Sequence, residues 1–254
     1  MRTLVVSVGN TSIRGGLFTG ARLVRRFRFH HDPLASAARF STALARVLPR
    51  NVDRAALCSV VPARTQVAAR CIRKYSGVPS RVLRAASRHG LAIRYRKPST
   101  FGTDRLACAI GARKRFPGRN VIVVDCGTAT TVTAIDRRGR VLGGAILPGP
   151  ALWAEAVARG TARLPRIQPV RAWKSLGRSP REALMAGIFH GHAGAVRELV
   201  RLVQSEAFGR SAAVVVGTGG GAPSLSREKL FTVLAPDLIL NGLFVFASQD
   251  ADHA

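Results

Sequence analysis

Two stretches of this chain follow one plan. Leu4-Val5-Val6-Ser7-Val8-Gly9-Asn10-Thr11 and Ile122-Val123-Val124-Asp125-Cys126-Gly127-Thr128-Ala129 are each an apolar, β-branched run feeding a tight glycine turn that hairpins back. A device repeated at that distance restricts the fold strongly. It predicts two similar α/β lobes, residues 1–117 and 118–254, with a binding cleft between them. The 254 residues suffice for two such lobes, and 47% apolar residues make the chain globular.

The patterns around the two devices agree with each other. In the first half, Ser12 to Phe18 and Leu23 to Phe29 read as strands, Pro33 to Leu48 as a helix, Ala55 to Val61 as a buried strand, Ala63 to Tyr75 as a helix and Arg81 to Arg84 as a short strand. In the second half, Val121 to Asp125 is a strand, Cys126 to Thr131 the turn and Val132 to Ile135 the return strand. Asp136-Arg137-Arg138-Gly139 turns into Val141 to Leu147, helical patterns follow, Ala212 to Val216 is another strand, and a last helix starts near Asn241.

Charge narrows the partners. Of 40 basic residues 35 are Arg, and residues 1–120 hold 25 basic and 3 acidic residues, net +22. Such a half attracts anions. Aromatic residues are only 6%, the Arg residues spread over every element, and no nucleic-acid motif is present, which argues against a nucleic-acid groove. No apolar run reaches the ~20 residues of a membrane span, and the opening apolar stretch is too short for a secretion signal. Cys58, Cys71, Cys108 and Cys126 are far apart without a C-x-x-C pair, so neither a disulfide framework nor a zinc site is expected, and a cytoplasmic location is.

Glycine turns after strands cradle phosphate, because bare backbone N–H groups converge on the anion and nearby hydroxyls add donors. Gly9-Asn10-Thr11 alone reads as an ordinary hairpin turn. In the second copy Asp125 ends a fully apolar strand, where a carboxylate is costly unless paired or metal-bound, and Thr128, Thr130 and Thr131 follow. A third glycine cluster, Gly217-Thr218-Gly219-Gly220-Gly221, directly follows a strand. Three such turns form the pattern by which actin-like and sugar-kinase-like ATPases bind nucleotide. His190 and His192 fall on different helix faces and are read as packing or surface residues. His30 and His31 beside Asp32 read as solvated, Trp153 and Trp173 as packing anchors, and the Arg clusters as solvated surface.

Longer motifs sharpen the reading. Tyr95-Arg96-Lys97-Pro98, Gly102-Thr103-Asp104-Arg105, Asp125 to Thr131, Gly143 to Gly149, Arg159 to Pro165 and Thr218-Gly219-Gly220 resemble, in order and at compatible spacing, the type III pantothenate kinases over nearly the whole chain. The resemblance implies two actin-like (ribonuclease-H-like) lobes in an α/β fold, and transfer of phosphate from ATP to pantothenate as the first step of coenzyme A synthesis. It also implies Mg²⁺, a monovalent cation (K⁺ or NH₄⁺) and a homodimer. By position, Asp104 is then the general base, and Asp125 a ligand of the monovalent cation. Ser7, Val8, Gly9, Asn10, Thr11, Ser12, Ile13, Arg14, Thr128, Thr218, Gly219 and Gly220 line the ATP site. Tyr95, Gly102, Thr103, Asp104, Arg105, Gly160, Thr161 and Pro180 line the pantothenate pocket.

The chain departs from the family pattern twice. Ser7 stands where the family carries the Asp of Asp-x-Gly-Asn-Thr, and Pro180 where it usually has a substrate-contacting Thr. A hydroxyl cannot supply the charge that draws Mg²⁺. Locally, Ser179, Pro180 and Glu182 make a helix start with a capping box. An alternative reading is therefore a catalytically weak or silent relative that binds nucleotide or pantothenate and acts through a partner.

Overall fold

The computed structural model describes residues 1–29, 37–49, 51–168 and 174–249. The expected helix start at Pro33, the His30-His31-Asp32 loop and Trp173 lie outside them. The chain forms two compact units, Met1–Arg115 joined by the chain from Leu238 onward, and Phe116–Asp237.

The first unit contains β1 (Arg2–Val8), β2 (Ile13–Thr19), β3 (Arg22–Phe29), α1 (Ala37–Val47), β4 (Arg54–Ser59), α2 (Pro62–Ser76), β5 (Ser80–Val82), β6 (Ala92–Ile93) and α3 (Thr103–Arg115). Its sheet runs β3-β2-β1-β4-β5. β1 is central and buried on both faces, which is why its sequence is an unbroken apolar run and not an alternating one. Leu4, Val6 and Val8 point into a core with Phe40, Leu44, Leu57 and Ile72 from α1, β4 and α2. Pro62 starts α2, and Gly77, at φ 77°, ends it by donating to the Arg73 carbonyl at 2.8 Å.

The second unit repeats the plan with β7 (Asn120–Cys126), β8 (Ala129–Ile135), β9 (Arg140–Pro148), α4 (Pro150–Gly160), α5 (Pro180–Phe208), β10 (Ala213–Thr218), α6 (Ala222–Leu225) and β11 (Val233–Leu234). Its strands run β11-β10-β7-β8-β9, the same order as β5-β4-β1-β2-β3. In both, the first strand pairs antiparallel with its hairpin partner and parallel with the fourth. The duplication read from the sequence is thus a duplication of topology.

The expected boundary of 118–254 for the second lobe is corrected at its C-terminal end. The last helix, α7 (Leu238–Ser248), starts before Asn241 and packs on α3 in the first unit. Glycine makes this approach possible: a Cβ at Gly242 would collide with the Ala107 carbonyl, and one at Gly111 with the Leu238 carbonyl. Phe244 then stacks on Phe18 of β2 at 4.4 Å. Small residues meeting across two helices leave a weak periodic signal, so the sequence alone assigned α7 to its neighbours in chain order. No described helix is long and apolar enough to cross a membrane.

Candidate active site

In the first unit the site grows from the end of β1. Ser7 is buried, and the Gly9 to Ser12 turn is closed by the Gly9 N–H donating to the Ser12 carbonyl at 2.9 Å. Ser7 lies beside Cys58 of β4 in the parallel ladder, and their side chains hydrogen-bond. Burial pushes the Cys58 thiol up to about 12, with the negative charge of Asp104 adding to the rise and the Ser7 bond opposing it. At neutral pH this is a protonated, inert thiol.

The same effect places Asp104 near the ends of β1 and β4. Thr103 starts α3 and anchors it there, its Oγ1 donating to the Ser59 carbonyl at 2.9 Å. Asp104 sits in the first helical turn, where a carboxylate is favoured by the helix dipole, and accepts the Arg105 N–H at 2.7 Å. Its Oδ1 folds over Gly102; a Cβ at residue 102 would come within 2.6 Å of it. Arg105 is only 7% exposed and donates from Nη1 to the Tyr95 hydroxyl at 2.8 Å. Its guanidinium lies 4.7 Å from the Phe101 ring centre and 5.7 Å from that of Tyr95, and these two rings meet edge to face at 5.0 Å. A surface ion pair at a helix start would leave Arg105 in water. Here the cation is held by aromatic faces, which fix its direction. Phe101 belongs to this group and was not singled out from the sequence; its position directly before Gly102 was the only cue.

The second unit assembles the other glycine segments. Thr218, Asp125, Thr131 and Ile146 form one rung across β10, β7, β8 and β9. Gly219 follows at φ 82°, and a side chain there would run into the Asp125 carboxylate and the Cys126 carbonyl. The Gly221 N–H donates to the Cys126 carbonyl and the Gly149 N–H to the Thr128 carbonyl, both at 2.9 Å. Three glycine-bearing turns therefore interlock at the carboxyl ends of β7 and β10, the end at which open α/β sheets bind ligands. A cavity of about 290 Å³ adjoins them, lined by Cys126, Gly127, Pro150, His192, Gly221 and Ser224 among others. Burial pushes the Cys126 thiol up to about 12, the Asp125 charge assisting.

Several expected positions take different surroundings. β8 begins at Ala129, so Thr130 and Thr131 belong to the strand and not to the turn. Thr130 is fully buried and hydrogen-bonds His192 at 2.9 Å, leaving Thr128 as the exposed turn hydroxyl. His192 is the buried partner of an exposed His190, and burial holds its imidazole below the usual range, so it stays neutral. Thr218 is 2% exposed, and Gly220 is the exposed residue of its turn. Gly160 and Thr161 are exposed at the end of α4, where the Thr161 hydroxyl turns back to the Val157 carbonyl at 2.9 Å. Pro180 is the exposed first residue of α5. Ser179 caps that helix by accepting from Glu182 N at 3.3 Å, and the Glu182 carboxylate accepts from Arg178 N at 2.7 Å. Trp153 packs against Gly191 of α5. Among the described residues no group of three or more His, Cys, Asp or Glu side chains could hold a metal ion.

Comparison with known proteins agrees with this architecture. The chain is 37% identical over 253 residues to a type III pantothenate kinase of Legionella pneumophila, with 97% of this chain and 98% of the relative covered. It is 34% identical over 249 residues to one of Dehalococcoides mccartyi, covering 95% of each. Among solved structures, an activator of 2-hydroxyisocaproyl-CoA dehydratase from Clostridium difficile is 13% identical with a TM-score of 0.55, covering 99% of this chain and 96% of that one. A ROK family glucokinase from Streptomyces griseus is also 13% identical with a TM-score of 0.51, covering 98% of this chain and 99% of that one. Such structures share the fold, which is the actin-like one of sugar kinases and related ATPases. The sequence model of the type III pantothenate kinases matches residues 3–202, and the chain belongs to that family.

Proposed function

We propose that this protein transfers the γ-phosphoryl group of ATP to the hydroxyl of pantothenate, as the entry to coenzyme A synthesis in the cytoplasm. The observation that carries the reading is the Gly102–Arg105 group: a carboxylate at the start of α3, beside the Ser7 turn, next to a directed guanidinium. In the transfer, the pantothenate oxygen forms a bond to the γ-phosphorus, the bond from that phosphorus to the β,γ-bridging oxygen breaks, and the hydroxyl proton passes to the Asp104 carboxylate. Arg105, with Tyr95, Gly102 and Thr103, holds the anionic end of pantothenate. The family resemblance also assigns Gly160, Thr161 and Pro180 to pantothenate binding, Pro180 without the hydroxyl usual there. Residues 7–14, Thr128, Thr218, Gly219 and Gly220 receive the nucleotide.

The family brings ATP and a divalent metal. The divalent ion neutralises phosphate charge. The donors at the end of β1 do not fit a directly held dication, since Ser7 offers a hydroxyl, Cys58 a protonated thiol and Asp104 alone a carboxylate. Asp125 with the hydroxyls of Thr131 and Thr218 on one rung is an oxygen-only set that suits a hard monovalent cation, K⁺ or NH₄⁺, and we assign that role to Asp125. The active form is a homodimer in this reading.

Ser7 supports a second reading, a relative that binds nucleotide and pantothenate without turnover and serves a regulatory partner. A coupled assay of ADP release separates the two. ATP- and pantothenate-dependent turnover, higher in K⁺ or NH₄⁺ than in Na⁺ at equal ionic strength, supports the kinase. Nucleotide binding without turnover at any Mg²⁺ concentration supports the second reading, and equal rates in the three salts count against the cation site.

A further inference from the structure

The two glycine-turn devices differ most on the rung just below the turn. In the second unit that rung is Thr218–Asp125–Thr131–Ile146; in the first it is Cys58–Ser7–Arg14–Arg28, across β4, β1, β2 and β3. Side chains on one rung point to one face of a sheet. Arg14 and Arg28 therefore share the face on which Ser7 meets Cys58 and the Asp104 charge is felt. Where the second copy keeps a carboxylate, the first has a hydroxyl with two cations in succession on one side of it.

Two guanidiniums directly opposite each other repel. Partial burial, with the Arg14 charge beside it, pulls Arg28 below its ordinary value. An arginine cannot relieve this by losing its proton near neutral pH. Neither side chain makes an ion pair or hydrogen bond with a described residue, while elsewhere Arg140, Arg159, Arg197 and Arg201 each find a carboxylate. The row from Ser7 through Arg14 to Arg28 spans two strand spacings, roughly 10 Å, and lies directly beneath the Gly9–Ser12 turn. An anion with several oxygens would bridge it and remove the repulsion.

We propose that Arg14 and Arg28 form a polyphosphate clamp, holding the terminal phosphates of the nucleotide and supplying as guanidinium charge what a carboxylate-held dication at position 7 would bring. This rests on the nucleotide-dependent reading of the turn, and it adds Arg28, on a third strand, to the ATP site. The clamp ranks ligands by phosphate charge: triphosphate above diphosphate, and nucleoside not at all.

The test is binding by the full-length protein at constant ionic strength, using ATP, ADP, adenosine and inorganic tripolyphosphate, with Mg²⁺ and with EDTA. Wild type should bind ATP in EDTA nearly as well as MgATP. Arg14→Gln and Arg28→Gln should each weaken Mg²⁺-free ATP and tripolyphosphate about five- to tenfold and leave adenosine unchanged. Arg22→Gln, at the far end of β3, should change nothing and controls for net charge. Ser7→Asp should weaken Mg²⁺-free ATP and tighten MgATP. Wild-type-like affinity of the Arg14 and Arg28 variants for Mg²⁺-free ATP, a parallel loss of adenosine, or no ATP binding by wild type overturns the clamp. Arginine-dependent ATP binding without pantothenate turnover upholds the clamp and defeats the kinase reading. Turnover that is insensitive to both arginines does the reverse.

Discussion

At the scale of single residues, the proposed transfer puts the proton acceptor at Asp104, and neighbouring groups aim that carboxylate. Thr103 pins the start of α3 to Ser59, and Gly102 leaves the carboxylate room. Asp104→Asn keeps size and hydrogen bonding but cannot take the substrate proton. It should lower kcat by about 10²–10⁴-fold with KM for ATP little changed. Helix stability should fall by only ~0.3–1 kcal/mol through the lost charge at the helix start. Steady-state kinetics beside a thermal melt measure both, and near-wild-type kcat in a folded variant would remove Asp104 from the reaction. The sequence placed Asp104 and Arg105 side by side, but only the structure shows them facing different neighbours, one over Gly102 and the other against Tyr95 and Phe101.

At the scale of elements, turns and caps decide where the strands run. The β8–β9 hairpin is organised by Asp136, which is 5% exposed and accepts from the Arg138 and Arg140 N–H groups and the Arg140 side chain. Burial works to raise its pKa, but the bonds from Arg140 and Arg138 and the Arg140 charge prevail and hold it below the usual range. A carboxylate depressed by folding contributes stability above its unfolded pKa of ~3.9, and that contribution disappears as pH falls through the lower folded value. Asp136→Asn should therefore lower Tm at pH 7, with a gap from wild type that shrinks as pH drops below about 4. Melts from pH 3 to 7 test this; a gap independent of pH would mean that Asp136 acts by shape alone. The capping of α5 by Ser179 and Glu182 was readable in advance, because it depends on neighbours in sequence. The start of β8 was not. Thr130 looks like a turn hydroxyl until His192, far along the chain, takes it into the core.

At the scale of the whole molecule, one fold plan is used twice and the last described helix, α7, belongs with the first unit. α7 closes the first unit through glycine-mediated contact with α3. Gly242→Val forces a side chain into the Ala107 carbonyl, and overpacking of this kind costs about 1–3 kcal/mol, a fall in Tm of roughly 3–10 °C for a chain of this size. Differential scanning calorimetry would register it. An unchanged melt would show that α3 and α7 can separate without loss and that α7 does not hold the unit together.

Much was legible beforehand because it is written locally. Apolar β-branched runs, glycine turns and caps depend on residues a few positions apart, so the strands, the turns, the duplication and the family motifs could all be read from order and spacing. The places of Asp104 near a helix start, of Asp125 near a strand end and of the glycine clusters in turns were legible for the same reason. Tertiary structure alone decided which residues meet across the sheets and helices: α7 on α3, Thr130 on His192, Ser7 on Cys58, and the row that sets Arg14 opposite Arg28. Register and packing are fixed by shape-matching of distant surfaces and by the need to satisfy every buried polar group. No local pattern carries that information, so a charge that looked diffuse along the chain became a specific pair only once β2 and β3 were aligned.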